Sequence, residues 1–297
     1  VDTPAADIEV DEGLVRELLA DQHPDLADLP LRLVANGWDN VIYRLGLDYA
    51  VRVPRRTIAA QLVEHENTWL PLIGTLVHVD IPLPVRVGLP SRIFPWQWSV
   101  TRWVDGELAA DTPFDEHGTL AVELARFVRE LHVAAPPEAP ANPVRGVPLE
   151  TRADAVASRL ASGRVPNAPA IAAAWESALG TPRWEGPPLW IHGDLHPANI
   201  IVRDGGLAAV IDFGDLTAGD PATDLATAWL TFDADGRRTF IRELADDATA
   251  YDDATWSRAR GWAVTMATAL LANSGDAPAM RRIGLHALEQ VLEEAGA

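Results

Sequence analysis

Residues 190–215, WIHGDLHPANIIVRDGGLAAVIDFGD, constrain this chain more than any other stretch. Asp194 is followed five residues later by Asn199, and Pro197 between them interrupts regular structure. Residues 200–202, Ile-Ile-Val, read as a short buried strand, Asp204-Gly205-Gly206 as a turn, and residues 207–211 as the returning strand. Asp212 follows that strand at once, ahead of Phe213 and Gly214. The hairpin therefore carries Asp212 back toward Asn199 and Asp194. One acid able to take a proton then stands beside an amide and an acid able to hold a hard divalent cation.

That combination suits phosphoryl transfer, in which positioning and charge stabilisation do most of the catalysis. Protein kinases carry H-R-D-x-x-x-x-N and then D-F-G. Here His192-Gly193-Asp194-Leu195-His196-Pro197-Ala198-Asn199 keeps the Asp-to-Asn spacing, and Asp212-Phe213-Gly214 follows. With Gly where protein kinases have Arg, the H-G-D-L-H-x-x-N form resembles the aminoglycoside and macrolide phosphotransferases and their small-molecule kinase relatives. The resemblance rests chiefly on residues 190–225 and extends more weakly over residues 34–135. It implies an α+β, two-lobed protein-kinase-like fold. Residues 1–103 would form a small antiparallel sheet with one helix that binds nucleotide. Residues 104–297 would form a larger, mostly helical lobe with the catalytic loop and substrate cleft. It further implies Asp194 as the catalytic acid–base group, Asn199 and Asp212 as ligands of Mg2+, ATP or GTP as phosphate donor, and a small-molecule hydroxyl as acceptor.

Bulk composition narrows the partners. The formal net charge is −19, and the acidic excess sits mainly in the second half. Nucleic acid is the wrong partner for such a surface; a cationic small molecule fits it, as does an ordinary solvated acidic surface. The chain has no cysteine, so neither a disulfide framework nor a thiolate metal site is available. All 24 Lys+Arg residues are Arg. A Walker A loop and Schiff-base chemistry both need Lys and are excluded. The polar, acidic start and the short apolar runs predict a cytoplasmic protein without signal peptide or membrane span.

In the first half, residues 11–20 predict an amphipathic helix, and residues 31–35, 41–45 and 49–53 predict strands. Asn36 and Gly37 open the loop between the first two strands. The resemblance makes this the loop over the nucleotide phosphates; an Asn-Gly hairpin turn is the plainer reading. Arg52 stands where protein kinases have the strand lysine of V-A-I-K. Alternation turns it away from Val51 and Val53, onto a sheet face where a cation needs an anion. In the predicted helix 58–73, Glu66 falls in the middle of the apolar face and Glu64 does not. A carboxylate there needs a partner, so an Arg52–Glu66 ion pair serving the nucleotide is expected. Arg55 and Arg56 read as surface charge at a strand end. Residues 81–88 and 98–104 predict two further strands. By resemblance, the backbone of Thr101, Arg102 and Trp103 would meet the nucleotide base.

In the second half, residues 119–132 predict a helix with Leu120, Leu124, Phe127, Val128 and Leu131 on one side, ending at His132, to which no chemistry is assigned. The Pro-rich residues 134–148 read as an exposed connection. Helices are expected at 150–162, 168–179, 222–230, 237–250, 253–273 and 277–295. His192 is expected to support the catalytic loop. Asp224 either braces that loop through backbone N–H groups or serves a helix dipole. Trp229, Trp256 and Trp262 fit core better than cleft. Three rival readings stand beside the main one. His192, Asp194 and His196 could ligate zinc in a hydrolase. The chain could be a metabolic kinase of a sugar, a choline-like amine or an amino alcohol. It could also be a pseudokinase that binds nucleotide without turnover, although Asp194, Asn199 and Asp212 are all present.

Overall fold

The computed structural model describes residues 4–245, 251–274 and 277–295. The described residues fall into two compact units. Of these residues, one unit takes in 4–76 and 80–105, and the other those of 106–295 that are described, with 77–79.

The N-terminal unit is built on a five-stranded antiparallel sheet. Helix α1 (Glu12–Gln22) precedes β1 (Leu31–Asn36), β2 (Asn40–Leu45) and β3 (Tyr49–Pro54); α2 (Thr57–Leu76), β4 (Pro84–Gly88) and β5 (Trp98–Arg102) follow. Strand order is β1-β2-β3-β5-β4. Asp11 caps α1, its carboxylate accepting from the Leu14 N–H. Val15, Leu18 and Leu19 of α1 join Val41, Leu45, Val51, Val53, Trp98 and Val100 in one apolar cluster. Burial in α2 runs through Ala59, Val63, Glu66, Leu70 and Ile73, the stripe of a helix with one face inward. Leu62, which the apolar pattern places on that face, is only half-buried. Strand β4 is shorter than the expected 81–88 and begins at Pro84; Pro82 has no N–H for the ladder, and Pro84 stands at the first strand position, where proline is tolerated.

The C-terminal unit is mostly helical. Its elements are β6 (Glu107–Leu108), α3 (Gly118–Leu131), α4 (Ala153–Ala161), α5 (Ala168–Leu179), β7 (Leu189–Ile191), β8 (Ile200–Arg203), β9 (Gly206–Val210), β10 (Thr217–Gly219), α6 (Ala222–Leu225), α7 (Thr227–Leu230), α8 (Ala234–Ala245), α9 (Asp253–Asn273) and α10 (Pro278–Ala295). The face of α3 expected to be apolar is the one that is buried. Helix α9 packs against α5, α6 and α10 and is buried on nearly all sides along its middle. Trp229 and Trp262 are core residues, and Trp256 is half-buried with its ring against Trp229. The helix expected over 222–230 is two short helices, α6 and α7, separated at Ala226. Of the helix expected at 237–250, residues 246–250 lie outside the described residues.

Two small sheets frame the central stretch. Strands β8 and β9 pair through a two-residue loop, with Arg203 opposite Gly206. Both loop residues, Asp204 and Gly205, have positive φ, 54° and 77°. This is the geometry that Asp-Gly supplies in a tight hairpin. Strand β6 adds to the β8 edge, and β7 pairs with β10. Among the described residues, no helix is long and apolar enough to cross a membrane.

Candidate active site

The loop between β7 and β8 is held from beneath by one carboxylate. Asp224, fully buried at the start of α6, accepts the N–H groups of His192 (2.7 Å, to Oδ2) and Gly193 (2.8 Å, to Oδ1). Of the two roles left open for Asp224, the backbone brace is the geometry observed. His132 Nε2 lies 3.1 Å from Asp224 Oδ2, and the Tyr251 hydroxyl lies 2.7 Å from His132 Nδ1. His132, passed over in the sequence, thus stands directly behind the brace. Burial and the nearby Asp224 charge push the Tyr251 phenol upward, which keeps its proton available for hydrogen bonding. Gly193 has φ +86°, and a Cβ there would fall 2.4 Å from the Asp215 carbonyl oxygen, so this position admits only glycine.

The histidines of the loop have identifiable tasks. His192 Nε2 lies 3.0 Å from the Ile211 carbonyl, and its Nδ1 accepts the Asp194 N–H at 3.2 Å. Those partners assign the Nε2–H tautomer. The ring ties the catalytic loop to the end of β9, as a supporting residue would. His196 Nδ1 accepts from the Ala198 N–H, leaving Nε2 to face Asp194 Oδ2 at 3.3 Å. The zinc reading fails here: both His192 nitrogens are committed, and no cluster of three or more His, Cys, Asp or Glu suited to a metal occurs among the described residues.

Asn199 is bonded to the residue that precedes Asp212. The Ile211 N–H donates to the Asn199 carbonyl at 2.9 Å, so Asp212 follows a residue bonded to Asn199 itself. The Asn199 side-chain nitrogen donates to the Asp194 carbonyl at 2.9 Å, which joins the third member. Asp212 is exposed and sits in the left-handed region at φ 62°. Non-glycine residues hold that conformation at some cost and gather where function requires it.

The Asp194 carboxylate has an unforeseen partner. Arg145 Nη2 donates to Asp194 Oδ1 at 2.7 Å, and Arg145 Nε lies 3.3 Å from Asp215 Oδ2. Burial alone would push the Asp194 carboxyl up. Arg145, with His196, overrides this and holds it well below the usual carboxylate range. Burial raises Asp215 against the pull of Arg145, and the Asp194 charge adds to that rise. Arg145 comes from the Pro-rich residues expected to be a mere exposed connection. The first part of that segment is exposed at Ala134, Pro137, Glu138 and Ala141, but Asn142 and residues 144–147 are half-buried.

In the N-terminal unit, Arg52 Nη1 and Glu66 Oε1 lie 2.6 Å apart, with side chains 13% and 6% exposed. The pair inferred from strand alternation and helix face therefore forms. With its amide oxygen turned toward the guanidinium, Asn40 accepts from Arg52 Nη2 at 2.8 Å and from Nε at 3.1 Å. The loop bearing Asn36 and Gly37 is clamped by Arg55, whose Nη1 donates to Asn36 Oδ1 (2.9 Å) and the Gly37 carbonyl (3.0 Å). Arg55 is buried, which corrects its reading as surface charge; Arg56 is the more exposed partner and bonds Asp39 at 3.0 Å. Thr101 and Arg102 lie in β5, paired with Ala50 and Tyr49. The Trp103 N–H goes to the Asp48 carbonyl at 2.8 Å, and its indole stacks under Arg44 while donating to Asp105.

If Arg52 and Glu66 act as a unit on nucleotide, their losses are not additive. Arg52→Ala, Glu66→Ala and the double variant are expected to weaken nucleotide binding to similar extents. Each single variant should lose about tenfold or more, because each strands a buried charge. Titration calorimetry decides this, and losses that simply multiply would remove the pair from the nucleotide site.

A profile of the phosphotransferase enzyme family, APH, matches residues 30–262. The chain belongs to this family. It is accordingly a kinase-type enzyme, moving phosphate to a hydroxyl. Solved structures share its α+β, kinase-like fold at low identity. The GDP complex of wild-type aminoglycoside 2'-phosphotransferase-IIIa superposes with a TM-score of 0.71 at 20% identity, covering 96% of this chain and 100% of that one. The GDP and kanamycin complex of APH(2")-IIia gives 0.67 at 21%, covering 95% and 98%. Apo macrolide 2'-phosphotransferase MphH from Brachybacterium faecium gives 0.62 at 21%, covering 92% and 97%. No curated protein matches the sequence.

Proposed function

We propose that the protein transfers the γ-phosphate of magnesium-bound ATP or GTP to a hydroxyl of a small cationic molecule of the aminoglycoside or macrolide kind, in the cytoplasm. The observation that carries this reading is made at Asn199, whose side-chain amide bonds the Asp194 carbonyl and whose own carbonyl bonds Ile211, the residue before Asp212. Asp194 would take up or orient the proton of the acceptor hydroxyl as that oxygen attacks phosphorus.

The donor set suits Mg2+. Asn199 spends its amide nitrogen on Asp194, so an oxygen is what it would offer, and Asp212 brings an exposed carboxylate. Two hard oxygen ligands suffice for an ion that completes its shell with water and phosphate. When bound, Mg2+ would neutralise charge on the phosphate oxygens. Arg52, held by Glu66, would supply cationic charge to the nucleotide phosphates, and the clamped Asn36–Gly37 loop would offer backbone N–H groups. The acidic excess of the chain and the aminoglycoside complexes of similar folds favour a cationic acceptor.

The test is a nucleotide-consumption screen with ATP and with GTP against aminoglycosides, macrolides, sugars, choline-like amines and amino alcohols. Acceptor-dependent consumption that Asp194→Ala abolishes, with phosphate found on the acceptor, is the expected result. Turnover only with sugars or simple amino alcohols moves the chain to metabolism. Nucleotide binding without turnover on any acceptor makes it a pseudokinase and ends the proposal.

A further inference from the structure

The segment between α3 and α4 is built to deliver one guanidinium to the catalytic loop. Asn142 Oδ1 accepts the N–H groups of Val144 (2.9 Å) and Arg145 (3.1 Å), a side-chain-closed turn. The same amide donates from Nδ2 to Asp215 Oδ1 at 2.7 Å. The backbone and the head group of Arg145 are thus both referred to Asp215. Gly146 anchors the other end. Its N–H donates to Thr223 Oγ1 at 3.1 Å and its carbonyl accepts the Asp220 N–H at 3.0 Å. It has φ +66°, and a Cβ would come within about 3.1 Å of both Ile191 and Gly219.

We propose that Arg145 is a positioning residue for phosphoryl transfer, which holds the Asp194 carboxylate aimed at the acceptor hydroxyl while Asp215 and Asn142 hold Arg145. The inference rests on the function proposed above. Arg145 occupies Asp194 Oδ1 and His196 faces Oδ2, so the carboxylate cannot rotate without giving up one of them. Arg reaches Asp194 through Nη2 and Asp215 through Nε at once; a point-charge ammonium would serve one acid at a time. The Arg145, Asp194 and Asp215 side chains keep 19%, 27% and 28% of their exposure. A part-buried ion pair of this kind stays within reach of an incoming acceptor, and a role in holding geometry accounts for the surrounding hydrogen bonds. In the reaction, the acceptor O–H bond breaks and its proton passes to Asp194. A new bond forms from that oxygen to the γ-phosphorus, and the bond from phosphorus to the β-phosphate oxygen breaks to release nucleoside diphosphate. Arg145 takes no atom in this exchange.

The test compares wild type, Arg145→Ala, Arg145→Lys, Asp194→Ala and the Arg145→Ala/Asp194→Ala double variant by steady-state kinetics, with thermal denaturation as the check on folding. Misplacement of a reacting group by about 1 Å costs on the order of 100-fold. Arg145→Ala is expected to lower kcat by about that factor while leaving both KM values close to those of wild type. Arg145→Lys should recover part of the loss. The double variant should be no slower than Asp194→Ala alone, because Arg145 acts through Asp194. A folded Arg145→Ala with wild-type kcat, or losses that multiply in the double variant, overturns the inference. If Arg145→Ala does not fold, Asn142→Ala decides, since it loosens the loop and keeps the cation: a lower kcat supports the role and an unchanged kcat ends it. Wild-type protein that turns over no acceptor brings down the proposed function and this inference together; an active wild type with indifferent variants brings down this inference alone.

Discussion

Asp194→Ala is expected to abolish nearly all transfer, with kcat falling by about 10²–10⁴-fold, the range for removal of a general acid–base group. Nucleotide affinity should hardly change. The Asp194 side chain bonds Arg145 and His196, and the loop backbone is fixed independently by Asp224. Stability should fall measurably at neutral pH, because folding depresses the carboxyl that is lost, while its guanidinium partner keeps Asp215. Mild acid does not imitate the substitution. Arg145 and His196 hold the Asp194 carboxyl well below the usual range, so at pH 5 the wild type still has this group charged, and any loss of turnover there arises elsewhere. The sign follows from linkage: a carboxyl depressed by folding stabilises above its unfolded pKa and gives that up only as pH falls through the folded one. The measurement is initial rates at saturating nucleotide, with titration calorimetry for binding. A variant that keeps more than about a tenth of wild-type kcat would take Asp194 out of the acid–base role.

The parts of this site that follow local rules could be read from the chain. Asp204-Gly205 dictates a two-residue hairpin because both positions take positive φ, and the hairpin dictates that Asp212 returns to Asn199. Glu66 could be assigned a partner because a carboxylate on a buried helix face has to find one, and strand alternation left Arg52 as the candidate. Residues whose place depends on distant packing could not be read. Arg145 lies 49 positions from Asp194, in a segment with neither a 2.0 nor a 3.6 period. Its Pro-rich composition matches that of any exposed connection. The Asn142-Pro143 pair does announce a turn, but not what the turn presents. Arg55 follows a strand and precedes a helix, where charge is ordinary, and only the fold of the β1–β2 loop over it makes it a clamp. His132 ends a helix as many histidines do; its role depends on Asp224, 92 residues later.

Asp224→Ala is expected to be the most destabilising single change at the site. The carboxylate is fully buried and satisfies two backbone N–H groups and an imidazole. His192 is itself fully buried and Gly193 is buried with it, so water cannot replace the lost acceptor without opening the loop. Breaking a buried charged contact by removing one partner costs about 3–5 kcal/mol, and the stranded N–H groups account for about 1–3 kcal/mol each when they remain unpaired. A loss of about 3–5 kcal/mol lowers Tm by on the order of 10 °C in a chain of this size. An acid serving only the dipole of a short helix would cost about 0.3–1 kcal/mol, so the size of the effect separates the two roles. Tyr251→Phe, which removes only the hydroxyl from His132, should cost about 1 kcal/mol and leave the backbone of the loop in place. Activity should follow the same ranking. Gly193 adjoins Asp194, and its left-handed conformation leads into the backbone that presents the carboxylate, so releasing its N–H displaces the reacting group. Denaturant melts of the three proteins, with kcat measured well below their transitions, would decide the matter: an Asp224→Ala protein no less stable than Tyr251→Phe would mean that the loop is held by something other than this carboxylate.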